Sequence, residues 1–455
     1  MFFKQFYDEK LSQTSYMVAC QKTKDAIIID PGRILDEYEA AADKQGYNIT
    51  SATETHIHTD FASGLRDANR KFGSQLFVSD EGNENWKYEN MPGDTVFLKD
   101  GDTINVGNVE LKVMHTPGHT PESITFILTD RGGGSTEPMG MFTGDFLFVG
   151  DIGRPDLLEE AAKMEGTTEL GAKDMFQSLK KLKDYPDFLQ IWPGHGAGSP
   201  CGKALGAVPL STLGYERQNN WALKTDDEEE FIKELVSDQP EPPTHFAHMK
   251  KVNKEGLPEF KLKEVRVGTP EELAGQIFDL RSKEAFAEGF KKGSINIPLN
   301  DKFLQFAGWY VDYHRPMTLI ANPEKSEMLQ KDFASIGFDD IELIVPADKI
   351  GQYTDASYEN ISPAEMTVDY ENKNTLDVRS KSEYQESNLN NAKHLHFGQL
   401  TSAGKEVPFD KNEEIYVHCQ SGVRSAIAAS VLKGHGYDHV INVEKGYNGI
   451  KNEMK

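Results

Sequence analysis

The 455-residue chain has little that would anchor it in a membrane or staple it covalently. No apolar run approaches the roughly 20 residues of a membrane-spanning helix. The opening Met1-Phe2-Phe3-Lys4-Gln5-Phe6 lacks a basic stretch followed by an apolar one, so no secretion signal is expected. Cysteine is scarce. Cys20, Cys201 and Cys419 lie far apart, which argues against a disulfide framework and leaves each thiol to be judged as filler or reactive group. Positive charge is also short: 49 Lys and Arg against 73 Asp and Glu leave a formal charge of −24. Such a chain repels phosphate backbones and anionic lipid surfaces, so neither nucleic acid nor membrane is an expected partner; the missing secretion signal and the unpaired thiols make a cytoplasmic location the expectation. What is present is 38% hydrophobic residues, enough for packed cores, over a length that suits two to four domains.

Strand-like and helix-like segments alternate. Tyr16-Met17-Val18-Ala19-Cys20 and Ala26-Ile27-Ile28-Ile29-Asp30-Pro31-Gly32 are apolar runs, the second closed by a turn, as buried strands are. Phe176, Leu179 and Leu182 fall at helical spacing between Lys173 and Lys183. The segment Gln239-Pro240-Glu241-Pro242-Pro243 breaks the pattern and predicts the end of a first domain at about residue 245. Beyond it the sequence repeats with an offset of about 98 residues. Asp279-Leu280-Arg281-Ser282-Lys283 matches Asp377-Val378-Arg379-Ser380-Lys381, and Gly337-Phe338-Asp339 matches Gly436-Tyr437-Asp438. Two further domains, 260–355 and 361–455, are predicted, each a parallel sheet with helices on both faces.

Four motifs in the first domain carry metal-binding chemistry: Thr55-His56-Ile57-His58-Thr59-Asp60-Phe61, then Pro117-Gly118-His119, Thr143-Gly144-Asp145 and Pro193-Gly194-His195. Histidines and carboxylates beside glycine turns can be aimed from several loops at one point. In this order they resemble the metallo-β-lactamase fold, an αββα sandwich, over about the first 240 residues. Members with two metals use a further histidine where this chain has Phe61, and a phenyl ring cannot ligate. The resemblance therefore implies one metal on His56, His119 and Asp145, the two-histidine, one-carboxylate set of non-haem Fe(II) oxygenases. It implies one Fe(II) per chain. His58, Asp60 and His195 would orient the ligands or hold a second, weaker metal. Within the fold the chain is similar to the persulfide dioxygenase branch. Gly153-Arg154-Pro155-Asp156 and Gly214-Tyr215-Glu216-Arg217 match that branch and imply Arg154 as a substrate-binding group or a support for the ligands, and Arg217 as a substrate-binding group. Cys201, six residues after His195, is either buried filler or a sulfur relay. Cys20 and His115 are read as structural.

The last domain holds Ile415-Tyr416-Val417-His418-Cys419-Gln420-Ser421-Gly422-Val423-Arg424-Ser425. A strand, a tight loop and a helix start place backbone N–H groups around the thiol, which stabilises a thiolate and makes Cys419 a nucleophile. With Asp377-Val378-Arg379 and Gly436-Tyr437 it resembles the rhodanese family, with Arg424 steadying anions; a cysteine phosphatase loop is the more distant likeness. The middle copy reads Ala321-Asn322-Pro323-Glu324-Lys325 at that position and resembles a degenerate rhodanese without the cysteine. The fold expected is thus α/β: a metallo-β-lactamase sandwich, then two rhodanese-like doubly wound domains. The activity implied is oxidation of a low-molecular-weight thiol persulfide by O₂ to sulfite, then transfer of sulfur to sulfite to give thiosulfate, a sulfide-detoxifying sequence. A homodimer or homotetramer is the implied assembly. The alternative is a glyoxalase II-like thioester hydrolase joined to a sulfurtransferase.

Overall fold

The computed structural model describes residues 1–157, 159, 166–400 and 406–455. They form two units: Met1–Lys261 with Ala334–Gly337, and Leu262–Phe333 with Phe338–Lys455. The first is built on two six-stranded sheets. One runs β1 (Phe2–Asp8), β2 (Gln13–Ala19), β3 (Asp25–Ile29), β4 (Asn48–Thr53), β5 (Gln75–Ser79) and β6 (Val96–Leu98) in chain order. The other runs β7 (Thr103–Val106), β8 (Val109–His115), β9 (Ile124–Asp130), β10 (Gly140–Gly144), β11 (Gln190–Pro193) and β12 (Ser211–Thr212).

Alternation along β3 explains the layering. Ile27 and Ile29 point between the sheets, where they meet Leu111, Phe126, Phe142 and Trp192. Ile28 points the other way, against Tyr38 and Ala42 of helix Asp36–Gln45 and Leu65 of helix Leu65–Phe72. A strand covered on both faces reads as an unbroken apolar run. The outer face of the second sheet packs Met141 and Ile191 against Met175 and Leu179 of helix Thr167–Lys180. Two sheets between two helical layers make the αββα sandwich. The helix predicted from Lys173 starts six residues earlier, because its first turn, Thr167-Thr168-Glu169-Leu170, carries no buried residue for periodicity to register.

The first unit does not stop at residue 245. It continues through helix His245–Glu255 to Lys261. The proline stretch ends a helix without ending the core.

The second unit holds two five-stranded parallel sheets. Their orders are β13 (Arg266–Val267), β17 (Ile341–Pro346), β16 (Met317–Ala321), β14 (Gln276–Asp279), β15 (Ile295–Asn296), and β18 (Glu359–Ile361), β22 (Val440–Val443), β21 (Ile415–His418), β19 (Thr375–Asp377), β20 (Ala392–His394). Both have the order first, fifth, fourth, second, third, so the repeat in sequence is a repeat in topology. Helix Val423–Gly434 is buried from Ser425 to Leu432, with Ser430 Oγ accepting the Asn296 N–H of β15 at 3.1 Å. Covered all round, it needs no polar stripe. Among the described residues no helix is long and apolar enough to cross a membrane.

Candidate active sites

Each motif of the first unit sits at a strand end. The loop after β4 carries His56, the loop after β8 His119, the end of β10 Asp145 and the end of β11 His195. One ligand atom each from His56, His119 and Asp145 lies within 4.8 Å of the others. Asp145 Oδ2 is 4.0 Å from His56 Nε2 and 3.5 Å from His119 Nε2. All three residues are about 1% exposed, and those same three atoms have no hydrogen-bond partner. Buried polar atoms are rarely left unpaired, since desolvation without compensation is costly. Three of them converging from different loops fit a metal ion.

The surrounding bonds fix the tautomers. His119 Nδ1 donates to the Arg154 carbonyl at 2.8 Å. His56 Nδ1 donates to Thr55 Oγ1 at 3.0 Å, because that hydroxyl spends its own proton on Asp30 Oδ2 at 3.0 Å. Both rings therefore turn a bare Nε2 inward. Burial, and for His56 the charge on His58, hold both below the usual histidine range, which keeps them neutral. His195 differs. Its Nδ1 donates to Asp145 Oδ1 and its Nε2 to Asp60 Oδ2, each at 2.7 Å. Burial works against its charge, but the two carboxylates prevail and raise it well above the usual range, while Asp145 is driven well below its own. With both nitrogens spent, His195 aims Asp145 and offers no lone pair. Gly194 makes this approach possible: a Cβ there would stand 2.8 Å from Asp145 Oδ1.

His58 Nε2 lies 3.1 Å from Asp30 Oδ1, while its Nδ1 is buried without a hydrogen-bond partner and its ring lies 4.3 Å from that of His56. Burial lowers His58, but Asp30 overrides this and lifts it to about 9. The Phe61 ring lies 4.3 Å from the His58 ring and is 1% exposed. Of the two roles expected for Arg154, substrate anchor or support for the ligands, its surroundings fit the second. Its guanidinium is buried against the Asp156 carboxylate and the carbonyls of Pro200 and Pro240, and its own carbonyl orients His119. Arg217 pairs with Asp187 and donates to the carbonyls of Leu182 and Tyr185, so it caps a helix end. Cys201 is fully buried, its sulfur grouped with Asp60 and His195. Burial and the nearby carboxylates push its thiol well above the usual range, which disfavours the thiolate a sulfur relay needs. Cys20 is buried, its sulfur accepting the Asn108 N–H at 3.3 Å, and His115 Nε2 lies 2.9 Å from the Pro121 carbonyl.

Sequence reading missed Asp30, whose carboxylate ties Thr55, His58 and through Thr55 His56; Asp-Pro-Gly reads as a plain turn.

In the second unit Cys419 follows β21, and its sulfur accepts the Gly422 N–H at 3.1 Å. Gly422 has φ 95° and caps helix Val423–Gly434, so the sulfur sits at a helix N-terminus. Arg424 forms a two-pronged pair with Glu383 at 2.6 and 2.8 Å. Glu383 also accepts the Ser380 N–H at 3.0 Å. Burial raises the Glu383 carboxyl, but Arg424 and that N–H outweigh it and bring it to about 2. Glu383 was overlooked although Ser380-Lys381-Ser382-Glu383 is a capping box visible in sequence. In the middle copy the matching turn Pro323–Lys325 is capped by Asn322 and carries no thiol.

Residues 9–195 match the metallo-beta-lactamase superfamily, and residues 362–453 match the rhodanese-like domain. A solved structure of a metallo-beta-lactamase from Staphylococcus aureus is 53% identical, covers 76% of this chain and 99% of its own, and superposes with a TM-score of 0.73. A beta-lactamase hydrolase-like protein of Xylella fastidiosa is 27% identical over 253 residues, 50% of this chain and 53% of that protein, so the match spans about half of that relative. A hydroxyacylglutathione hydrolase of Rhodopseudomonas palustris is 27% identical over 211 residues, 41% of this chain and 73% of the relative.

Proposed function

Because this chain belongs to the metallo-beta-lactamase superfamily and ends in a rhodanese-like domain, we propose that it oxidises a low-molecular-weight thiol persulfide at one Fe(II) and then transfers sulfur through Cys419. The observation that carries this reading is the unpartnered trio His56 Nε2, His119 Nε2 and Asp145 Oδ2, with Phe61 where a second metal would need a histidine. Two histidines and one carboxylate suit Fe(II) with open positions. When bound, such an ion supplies redox chemistry toward O₂.

The chain's own residues do the rest. Thr55 and the Arg154 carbonyl hold the two imidazoles in the ligating tautomer. His195 bridges Asp145 and Asp60, which fixes the carboxylate's free oxygen toward the histidines. Burial of the site excludes bulk water from the reacting groups. Persulfide, O₂ and one water give sulfite and the free thiol.

At the second site the Cys419 thiolate takes the outer sulfur of another persulfide and releases its thiol. Sulfite then attacks that sulfur, leaving as thiosulfate and returning the thiolate. The Gly422 N–H and the helix N-terminus steady negative charge on the sulfur.

Similarity to hydroxyacylglutathione hydrolases favours a second reading, thioester hydrolysis with zinc. Oxygen uptake separates the two. Protein purified without oxygen and given a thiol persulfide should consume O₂ in proportion to its iron, and His119→Ala should abolish the uptake. Bound zinc, no uptake and thioester cleavage would replace the first reading with the second.

A further inference from the structure

Helix His245–Glu255 lies beyond the residues matched to the superfamily and beyond the proline break. Yet two of its buried side chains grip the loop that follows His56. Asn253 Nδ2 donates to the His58 carbonyl at 2.8 Å and the Phe61 carbonyl at 2.7 Å, and its Oδ1 accepts the Ser63 N–H at 2.9 Å. Two turns earlier, His245 Nε2 donates to the Asp60 carbonyl at 3.0 Å. Asn253 and His245 are 3% and 4% exposed, so water does not substitute for them. The loop has no ladder of its own to satisfy these groups, and buried backbone groups must be paired. The helix is in turn held: Arg66 donates to the carbonyls of Asn253 at 2.8 Å and Lys254 at 3.0 Å.

We infer that Asn253, supported by His245, is a positioning residue for metal binding, fixing the backbone from His58 to Ser63 so that His56 and Asp60 are correctly aimed. This rests on the reading of His56, His119 and Asp145 as the metal triad. Asp60 reaches Asp145 through His195, so the clamp acts on two of the three ligands. Three of the four hydrogen-bonding positions of the amide are spent on the loop. Asn253→Asp would keep the bond from Ser63 and lose both donations.

The test is Co²⁺ titration of the metal-free full chain against a chromophoric chelator, with the visible Co²⁺ bands recorded. Asn253→Asp, Asn253→Ala and His245→Gln are compared with Lys251→Ala, an exposed position on the same helix. Asn253→Asp and His245→Gln should bind Co²⁺ at least about tenfold more weakly and shift its bands, as lost support for ligands does. The metal-free melting temperature of Asn253→Asp should fall, because two buried carbonyls lose their donor, so the shifted bands are the readout that a purely structural role would not move; Lys251→Ala should match the parent throughout. Parent-like affinity and bands in both would overturn the proposal, even if melting fell, because the helix would then be scaffold only. If Asn253→Ala fails to fold, the other two variants decide. If the parent chain binds Co²⁺ no better than His119→Ala does, the triad reading fails and the clamp proposal fails with it.

Discussion

Asp30 shows how much of the metal site depends on a residue that ligates nothing. It ends the apolar run of β3 at φ 52°, a left-handed conformation that costs a non-glycine residue free energy. In return Oδ1 accepts the Thr55 N–H at 2.6 Å and faces His58, while Oδ2 takes the Thr55 hydroxyl proton. Asp30→Asn would put an N–H₂ against one of these donors. Loss of a ligand's supporting partner costs roughly 10 to 100-fold in metal affinity, so the variant should fall by that factor in a chelator competition. Gly194→Ala makes a second case. Its methyl would press on Asp145 Oδ1 and on the Gly144 backbone, which cannot swing away as a flexible side chain would. Purified Gly194→Ala should carry well under the parent's metal content. His56, His119 and Asp145 were legible in the sequence because local motifs place them. Asp30 was not, because its partners lie about 25 residues away and its own motif has an ordinary explanation as a turn.

At the scale of elements, the Arg424–Glu383 pair ties the helix behind Cys419 to helix Lys381–Glu386. The folded Glu383 carboxyl titrates at about 2, below the roughly 4.3 of an unfolded chain. A depressed carboxyl stabilises the fold above its unfolded pKa and loses that contribution as pH falls toward the folded value. The pair is partly exposed, and screening leaves about 1 kcal/mol at most. Hydrogen exchange of the Val423–Gly434 amides should therefore be faster in Glu383→Gln than in the parent at pH 7, with the gap closing near pH 3. A constant gap would mean the pair does not titrate as described. Strand and helix order here was readable from alternation and from the Asp-x-Arg repeat. The reach of helix His245–Glu255 back to the His56 loop was not, because no local pattern encodes contacts across some 190 residues.

At the scale of the whole chain, the proposed function joins a site that would make sulfite to one that would consume it. The bare Nε2 atoms and the paired His195 belong to the first unit; the Gly422 N–H on the Cys419 sulfur belongs to the second. The repeat of about 98 residues foretold two sheets of one topology, and the chemistry of their central loops separated them, since only the later copy has a thiol. If the two sites work in series, removing the thiol should change the product without stopping the first reaction. Cys419→Ser is nearly isosteric and leaves the Gly422 N–H and the Arg424–Glu383 pair in place. Given a thiol persulfide and O₂, it should consume oxygen at the parent's rate and accumulate sulfite, where the parent accumulates thiosulfate. Anion chromatography of the quenched reaction distinguishes the two. Unchanged thiosulfate would mean that sulfur reaches sulfite without Cys419, and equal loss of oxygen uptake would mean that the first site depends on the second.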